Sequence, residues 1–147
     1  MVRTMTINDY ENVEKLWKKI KGFVIRSIDD SKDGIERFLK RNPTTCVVAE
    51  EEGRIVGSIL CGHDGRKGCM YHVCVDPDFR RKGIGKSMVL FAIEKLQEEK
   101  INDVSIIAFT ANDIGNAFWK KLGWELRRDI NSYEVELNKE NLRTVNK

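Results

Sequence analysis

The residues of this sequence best equipped for chemistry stand in one run: Asp76-Pro77-Asp78-Phe79-Arg80-Arg81-Lys82-Gly83-Ile84-Gly85-Lys86-Ser87. The run lies between an apolar, strand-like stretch and the first turn of a long amphipathic helix. At such a junction several backbone N–H groups have no intrahelical partner and point outward. The helix dipole adds about half a positive charge there. Gly83 and Gly85 lack a Cβ, so an anion can come close to the backbone. Arg80, Arg81, Lys82 and Lys86 bring side-chain charge of the matching sign. A pyrophosphate is the anion this combination suits. A solvated basic turn capping a helix is the plainer reading of the same residues, since a lone Gly-x-Gly is weak evidence.

Two well-known phosphate-binding patterns fail here. Gly85-Lys86-Ser87 mimics the end of a P-loop, but that motif needs a glycine five residues earlier, where Arg80 stands; no apolar strand ending in Asp offers a magnesium ligand either. A dinucleotide fingerprint needs Gly-x-Gly-x-x-Gly, and Met88 occupies its third glycine position. What remains is Arg-x-x-Gly-x-Gly, as Arg80, Gly83 and Gly85. Nucleic acid is a poor partner: the net charge is only +3, from 26 Lys plus Arg against 23 Asp plus Glu. The aromatic residues are not interleaved with the basic run as a stacking platform requires.

The elements that must position this run follow from periodicity. Val2–Met5 reads as a short strand, and Asn8–Lys21 as a helix carrying Tyr10, Val13, Leu16, Trp17 and Ile20 on one face. A second helix is predicted from about Ser31 to Arg41, with Pro43 beyond its end. Thr45–Glu51 and Arg54–Gly62 read as strands turned at Glu52-Gly53, and the glycine-bearing stretch from Gly62 to Gly68 as a loop. Met70–Val75 is a third strand, ended by Asp76-Pro77. Ile84–Glu99 is the strongest helix, with Ile84, Met88, Phe91, Ala92, Ile93 and Leu96 making a wide apolar face. A strand at Val104–Ala108, a short helix at Ile114–Leu122 closed by Gly123, and strands at Trp124–Leu126 and Ser132–Leu137 complete the pattern. The polar tail from Asn138 to Lys147 is expected to be loose. The expectation is a single mixed α/β domain over residues 1–147, with a mixed, mostly antiparallel sheet flanked by about four helices.

Composition supports a globular chain: of 147 residues, 41% are hydrophobic and 33% charged, with 2 prolines and 11 glycines. No apolar run is long enough to cross a bilayer. The first nine residues carry charge and polar groups where a signal peptide needs an apolar stretch. The expected location is therefore the cytoplasm, without membrane contact. Cys46, Cys61, Cys69 and Cys74 sit in strand-like contexts without a Cys-x-x-Cys pair, so buried thiols are expected. Cys61, His63, Cys69 and His72 match no zinc spacing, and no metal is expected.

A second motif lies downstream: Asn112-Asp113-Ile114-Gly115-Asn116-Ala117-Phe118-Trp119-Lys120-Lys121-Leu122-Gly123-Trp124. Together with Arg80, Gly83 and Gly85 after a strand ending Val75-Asp76-Pro77, it resembles the GNAT superfamily of N-acetyltransferases. Their Asn-x-x-Ala-x-x-Phe-Tyr-x-x-x-Gly-Phe pattern is met here with conservative changes, in register. The resemblance covers about residues 2 to 137.

The resemblance implies acetyl-CoA as co-substrate and direct attack by a primary amine, of a protein or a small molecule, in a ternary complex. It gives the backbone of Val73, Cys74 and Val75 to the pantetheine amides by strand addition. The N–H of Val73 would meet the oxygen on which charge develops. The amides of Arg81, Lys82, Gly83, Ile84, Gly85, Lys86 and Ser87, with Arg80, would hold the pyrophosphate; Asn112 and Phe118 would border the coenzyme, with Lys120 and Lys121 as further candidates for its phosphates. A base is useful because an amine must lose a proton before attack. Family bases occupy positions matching Cys69 and Tyr71. Alternation puts Cys69, Tyr71, Val73 and Val75 on one strand face and His72 on the other, so His72 is expected to be a packed or surface residue outside the cleft. His63 and Asp64 are further candidates. Trp119 replaces the tyrosine that often protonates the leaving thiolate, and indole is no acid at neutral pH. Tyr71, Tyr133 or water would then take that part, or the thiolate leaves unprotonated.

In this family the first two helices and their connection shape the acceptor pocket. Asp29, Asp30 and Asp33 stand there, either as a lure for a cationic amine or as helix-capping residues. The departures at the tyrosine and carboxylate positions also keep open a non-catalytic acyl-CoA-binding module. Small members of the family often dimerise, so a homodimer is a further possibility.

Overall fold

Glu52 and Gly53 take φ values of 52° and 75°, the two left-handed residues that a tight hairpin between right-twisting strands requires. They join β3 (Val47–Glu51) to β4 (Arg54–His63), the longest strand. Around this hairpin, β1 (Val2–Thr4), β5 (Gly68–Val75) and β6 (Val104–Ile106) complete a sheet of order β1-β3-β4-β5-β6. Every pairing is antiparallel except that of β5 with β6. The computed structural model describes residues 1–147 in two compact units, Met1–Ile106 with Glu140–Lys147, and Ile107–Lys139.

In the first unit, helices cover the two sheet faces. After a short 3-10 turn at Ile7–Asp9, α1 (Tyr10–Lys19) buries Tyr10, Val13, Leu16 and Trp17. Helix α2 (Lys32–Arg41) starts where the Ser31 hydroxyl accepts the Gly34 N–H at 3.1 Å, the cap expected of serine at that position. Ile35 and Leu39 of α2 join the α1 residues and Val48, Leu60 and Cys74 of the sheet in one apolar cluster. The other face belongs to α3 (Ile84–Glu98), which buries Met88, Val89, Ala92 and Leu96. Two strand glycines admit this helix: a Cβ on Gly57 would lie 2.8 Å from the Met88 side chain, and one on Gly68 would lie 3.0 Å from Leu96.

Two expectations fail. Rather than hanging loose, the tail supplies β7 (Arg143–Val145), which pairs antiparallel with β2 (Val24–Arg26), a strand the periodicity did not mark. Three residues are too few to carry a readable alternation. The lock is largely polar: the Asn146 side-chain amide donates to the carbonyls of Trp17 at 2.7 Å and Ile20 at 2.8 Å, at the C-terminal end of α1. Asn141 accepts the N–H of Ile28 at 2.9 Å and of Asp29 at 3.1 Å. Asn146→Ala should therefore cost about 1–2 kcal/mol in urea unfolding. An unchanged midpoint would mean that the tail contributes nothing.

The second unit contains α4 (Asp113–Lys121) and no strand. The strands expected at Trp124–Leu126 and Ser132–Leu137 are absent. Tyr133, Val135 and Leu137 alternate as a strand face does, yet all three are exposed. Alternation specifies a strand only where a neighbour takes up the ladder.

Candidate active site

The carboxyl end of β5 is where the sequence-derived candidates gather. The ladder between β5 and β6 runs from Gly68–Val104 to Met70–Ile106 and stops there, while β5 continues to Val75. Val73–Val75 thus have a strand neighbour, β4, on one side only. On that side the register slips between Ser58 and Leu60: Ser58 faces Cys74, but Leu60 faces Tyr71. His72 and Val73 therefore stand opposite the single residue Ile59, a bulge that bends the strand. His72 takes φ 51°, a left-handed conformation unusual away from glycine.

The bulge corrects the expected alternation. Tyr71 sets its ring edge-on to Phe38 of α2 at 6.0 Å, and His72 sets its ring against Trp17 of α1 at 4.8 Å and Phe23 at 4.7 Å. Both rings thus pack on members of the α1–α2 cluster, and His72 is not on the opposite face from Tyr71. The expectation that His72 is packed holds. Its Nε2 lies 2.8 Å from Oδ1 of Asp30. The Cys74 side chain faces inward, 3.4 Å from the Ser58 hydroxyl, which also accepts the Trp17 indole N–H at 3.1 Å. Burial pushes the Cys74 thiol up to about 11, and those of Cys46 and Cys61 up to about 12; these three thiols are unreactive near neutral pH.

Beyond Val75 the chain is pinned before it turns. The Asp76 N–H donates to the Val56 carbonyl at 2.7 Å, and the Asp76 carboxylate accepts the Asp78 N–H at 2.9 Å and the Lys19 ammonium at 2.8 Å. Burial pushes the Asp76 carboxyl up, but the Lys19 and Asp78 bonds and the nearby charges of Lys19 and Arg54 outweigh it and hold it below the usual aspartate range. A lowered carboxyl stabilises the fold fully above that range, and the contribution is lost as pH falls through it. Asp76→Ala should flatten the acid side of the stability–pH curve and loosen the following loop. Thermal melts from pH 3 to 7 in which wild type and variant run parallel would contradict this.

The loop itself is exposed from Arg80 to Gly83. Arg81 at φ 65° and Gly83 at φ 78° are both left-handed, which turns successive N–H groups toward one side. Arg80 donates from Nε to the Val75 carbonyl at 3.2 Å, and Lys82 sits 5.1 Å above the Phe79 ring. Arg81 and Lys86 extend their charges into solvent on either side of Gly83. Helix α3 makes its first bond from Ser87 N–H to the Gly83 carbonyl at 3.0 Å. The N–H groups of Ile84, Gly85 and Lys86 precede that bond, whereas that of Ser87 is already used, which removes it from the expected donors. A Cβ built on Gly83 meets nothing within 4 Å, so the cradle is open to an anion. This is a fit for a diphosphate.

The other candidates lie elsewhere. Asn112, Phe118 and Trp119 belong to the second unit. The Asn112 side chain accepts the Gly115 N–H at 3.0 Å and so caps α4. Trp119 is buried between Phe118 at 5.0 Å and Trp124 at 4.6 Å, as a packing residue would be. His63 binds Glu99 through Nε2 and accepts the Gly65 N–H on Nδ1, both at 3.0 Å, which occupies both ring nitrogens. Asp64 accepts two backbone N–H groups of its own turn at 2.8 Å. The trio of aspartates does not form one acidic patch. Asp30 is buried, the exposed Asp29 binds the Asn141 side chain at 2.8 Å, and Asp33 stands exposed in the first turn of α2. Two partnerships escaped sequence reasoning, Asp30 with His72 and Lys19 with Asp76. Their members stand 42 and 57 residues apart, and no local pattern joins them.

The family model of the acetyltransferase (GNAT) family matches residues 10–124 of this chain. The chain belongs to that family. It is 32% identical over 124 residues to an acetyltransferase of Pectobacterium atrosepticum, covering 84% of this chain and 86% of the relative. Among solved structures it resembles the PaiA N-acetyltransferase of Thermoplasma acidophilum in complex with coenzyme A. The TM-score is 0.74 at 17% identity, with 90% of this chain and 93% of that one covered. An aminoglycoside N-acetyltransferase in complex with CoA shares the fold at TM-score 0.72 and 18% identity, with 92% and 99% covered.

Proposed function

We propose that this protein is an acetyl-CoA-dependent N-acetyltransferase that passes the acetyl group directly to a primary amine. The observation that carries the reading is the continuity of two features at one strand end. β5 outruns its parallel neighbour at Met70, and seven residues past its bulge begins the open, basic, left-handed turn into α3. Pantetheine amides would add alongside Val73, Cys74 and Val75, and the diphosphate would rest on the amides of Ile84, Gly85 and Lys86 with Arg81 and Lys86 beside it. When bound, the thioester supplies an activated acetyl carbon and a thiol leaving group. The Val73 N–H, set by the bulge, would donate to the thioester oxygen as charge develops there, an effect worth about 10²–10³ in rate in comparable sites. The fold's likeness to CoA-bound neighbours supports the coenzyme.

The acceptor is a primary amine, on a protein or a small molecule; aminoglycosides stand among the compounds to test because a structural neighbour acts on them. We place the protein in the cytoplasm, where free thiols such as its four cysteines persist. No helix is long and apolar enough to cross a membrane.

Burial of Trp119 where the family often carries tyrosine favours a second reading, an acyl-CoA-binding module without turnover. One experiment separates the two. Coenzyme A at about 100 times its dissociation constant should stabilise the fold by about 2.7 kcal/mol in a thermal shift. A panel of spermidine, kanamycin, a lysine peptide and an alanine-terminated peptide is then offered with acetyl-CoA. Thiol release in step with amine consumed supports the enzyme; stabilisation without release supports the module.

A further inference from the structure

We infer that His72 is the base that deprotonates the acceptor amine, with Asp30 as its positioning residue; the inference rests on the acetyltransferase reading above. His72 occupies the bulge itself, immediately before Val73, and its left-handed backbone is held against local preference by three contacts. Trp17 and Phe23 clamp the ring, and Asp30 binds Nε2 at 2.8 Å. Asp30 is buried, and its other oxygen accepts the Arg26 N–H at 2.7 Å. We assign the donor role in the Asp30 contact to Nε2, which would then carry the ring proton. Nδ1 is then the basic nitrogen. It makes no hydrogen bond within the protein, yet no buried side-chain nitrogen or oxygen lacks a partner, so Nδ1 meets solvent. A carboxylate fixing one ring nitrogen while the other faces the reacting group is the arrangement of an oriented base.

From α1, the Tyr10 hydroxyl shares its one proton between the Asp30 carbonyl at 2.8 Å and Glu14 at 3.0 Å; burial and the Glu14 bond push it well above the usual tyrosine range. From β5 itself, the Cys74 thiol is pushed up to about 11 by burial. Neither changes charge near neutral pH.

The proton accounting closes. The acceptor ammonium gives one proton to His72 Nδ1, directly or through water, and its freed lone pair bonds to the thioester carbonyl carbon. The carbon–sulfur bond breaks, the second proton lost by nitrogen neutralises the thiolate, and the imidazolium returns its proton to water.

The test uses His72→Gln and Asp30→Asn in the full chain. The protein has only two histidines, so a long-range ¹H–¹⁵N spectrum resolves both rings without any ligand. We expect the neutral His72 ring to carry its proton on Nε2 in the wild type. With the amine of the panel that is acetylated fastest, His72→Gln should lower kcat by about 10²–10³-fold and abolish the acidic limb of the kcat–pH profile. Acetyl-CoA should still stabilise it as it does the wild type. Asp30→Asn should shift that limb and cost less. A proton on Nδ1, an intact pH profile in His72→Gln, or a loss confined to KM would overturn the assignment. So would failure of His72→Gln to be stabilised by acetyl-CoA, which would make the residue structural. A wild type that binds acetyl-CoA but acetylates no amine overturns the acetyltransferase reading itself.

Discussion

Gly83→Val is expected to weaken coenzyme A binding by about 10–100-fold and to leave the unliganded fold nearly as stable as before. Space is not the obstacle, since a Cβ at Gly83 meets nothing within 4 Å. The backbone is: φ is 78°, which a β-branched residue resists at a cost of about 1–3 kcal/mol. In the exposed, unliganded loop the chain relieves that strain by relaxing, so stability changes little. Binding must restore the left-handed turn, and the strain then appears as lost affinity, at tenfold per about 1.4 kcal/mol. Gly65→Val is the control. Gly65 has φ 91° and equally open surroundings, but lies in the β4–β5 loop beside His63, which binds Glu99 at the far end of α3 from Gly83, so affinity should hold. Calorimetric titration of both variants decides the matter. Equal affinities would mean that the turn's conformation is irrelevant to the coenzyme.

The second large effect falls on stability. Trp17→Ala should cost about 3–5 kcal/mol and lower the thermal midpoint by roughly 10 °C. Trp17 is fully buried in the α1–α2 cluster and stacks on Phe23 at 5.9 Å. Its indole N–H also satisfies the buried Ser58 hydroxyl. Its removal empties the centre of that cluster and takes away one wall of the His72 clamp, so turnover should fall along with stability. Chemical unfolding that shows a loss below about 1 kcal/mol would mean that the cluster closes over the gap.

The helices and the central strands were legible because their signals are local. Tyr10, Val13, Leu16 and Trp17 mark one face of α1 by spacing alone, and Glu52-Gly53 marks its hairpin by turn chemistry. The left-handed turn entering α3 was legible for the same reason, because Gly83 and the residues around it mark a turn without help from distant residues. The bulge was not. Most bulges with a left-handed residue announce it with glycine, and here His72 takes that role because Trp17, Phe23 and Asp30 hold it. An alternation argument carried through an unseen bulge turns a side chain to the wrong face, as it did for His72. Strand β7 was hidden by polarity, since Asn141 and Asn146 dock by hydrogen bonds rather than by apolar burial. Ser132–Leu137 shows the converse, a clear strand pattern for which no ladder forms.

Amide hydrogen exchange of residues 80–87 in the presence of coenzyme A, and separately of pantetheine, is the most direct measurement. Coenzyme A carries the diphosphate and should slow exchange at Ile84, Gly85 and Lys86. Pantetheine lacks it and should slow exchange only near Val73–Val75. Protection of those strand amides by saturating coenzyme A, with the three helix-entry amides exchanging as fast as in the unliganded protein, would contradict the account.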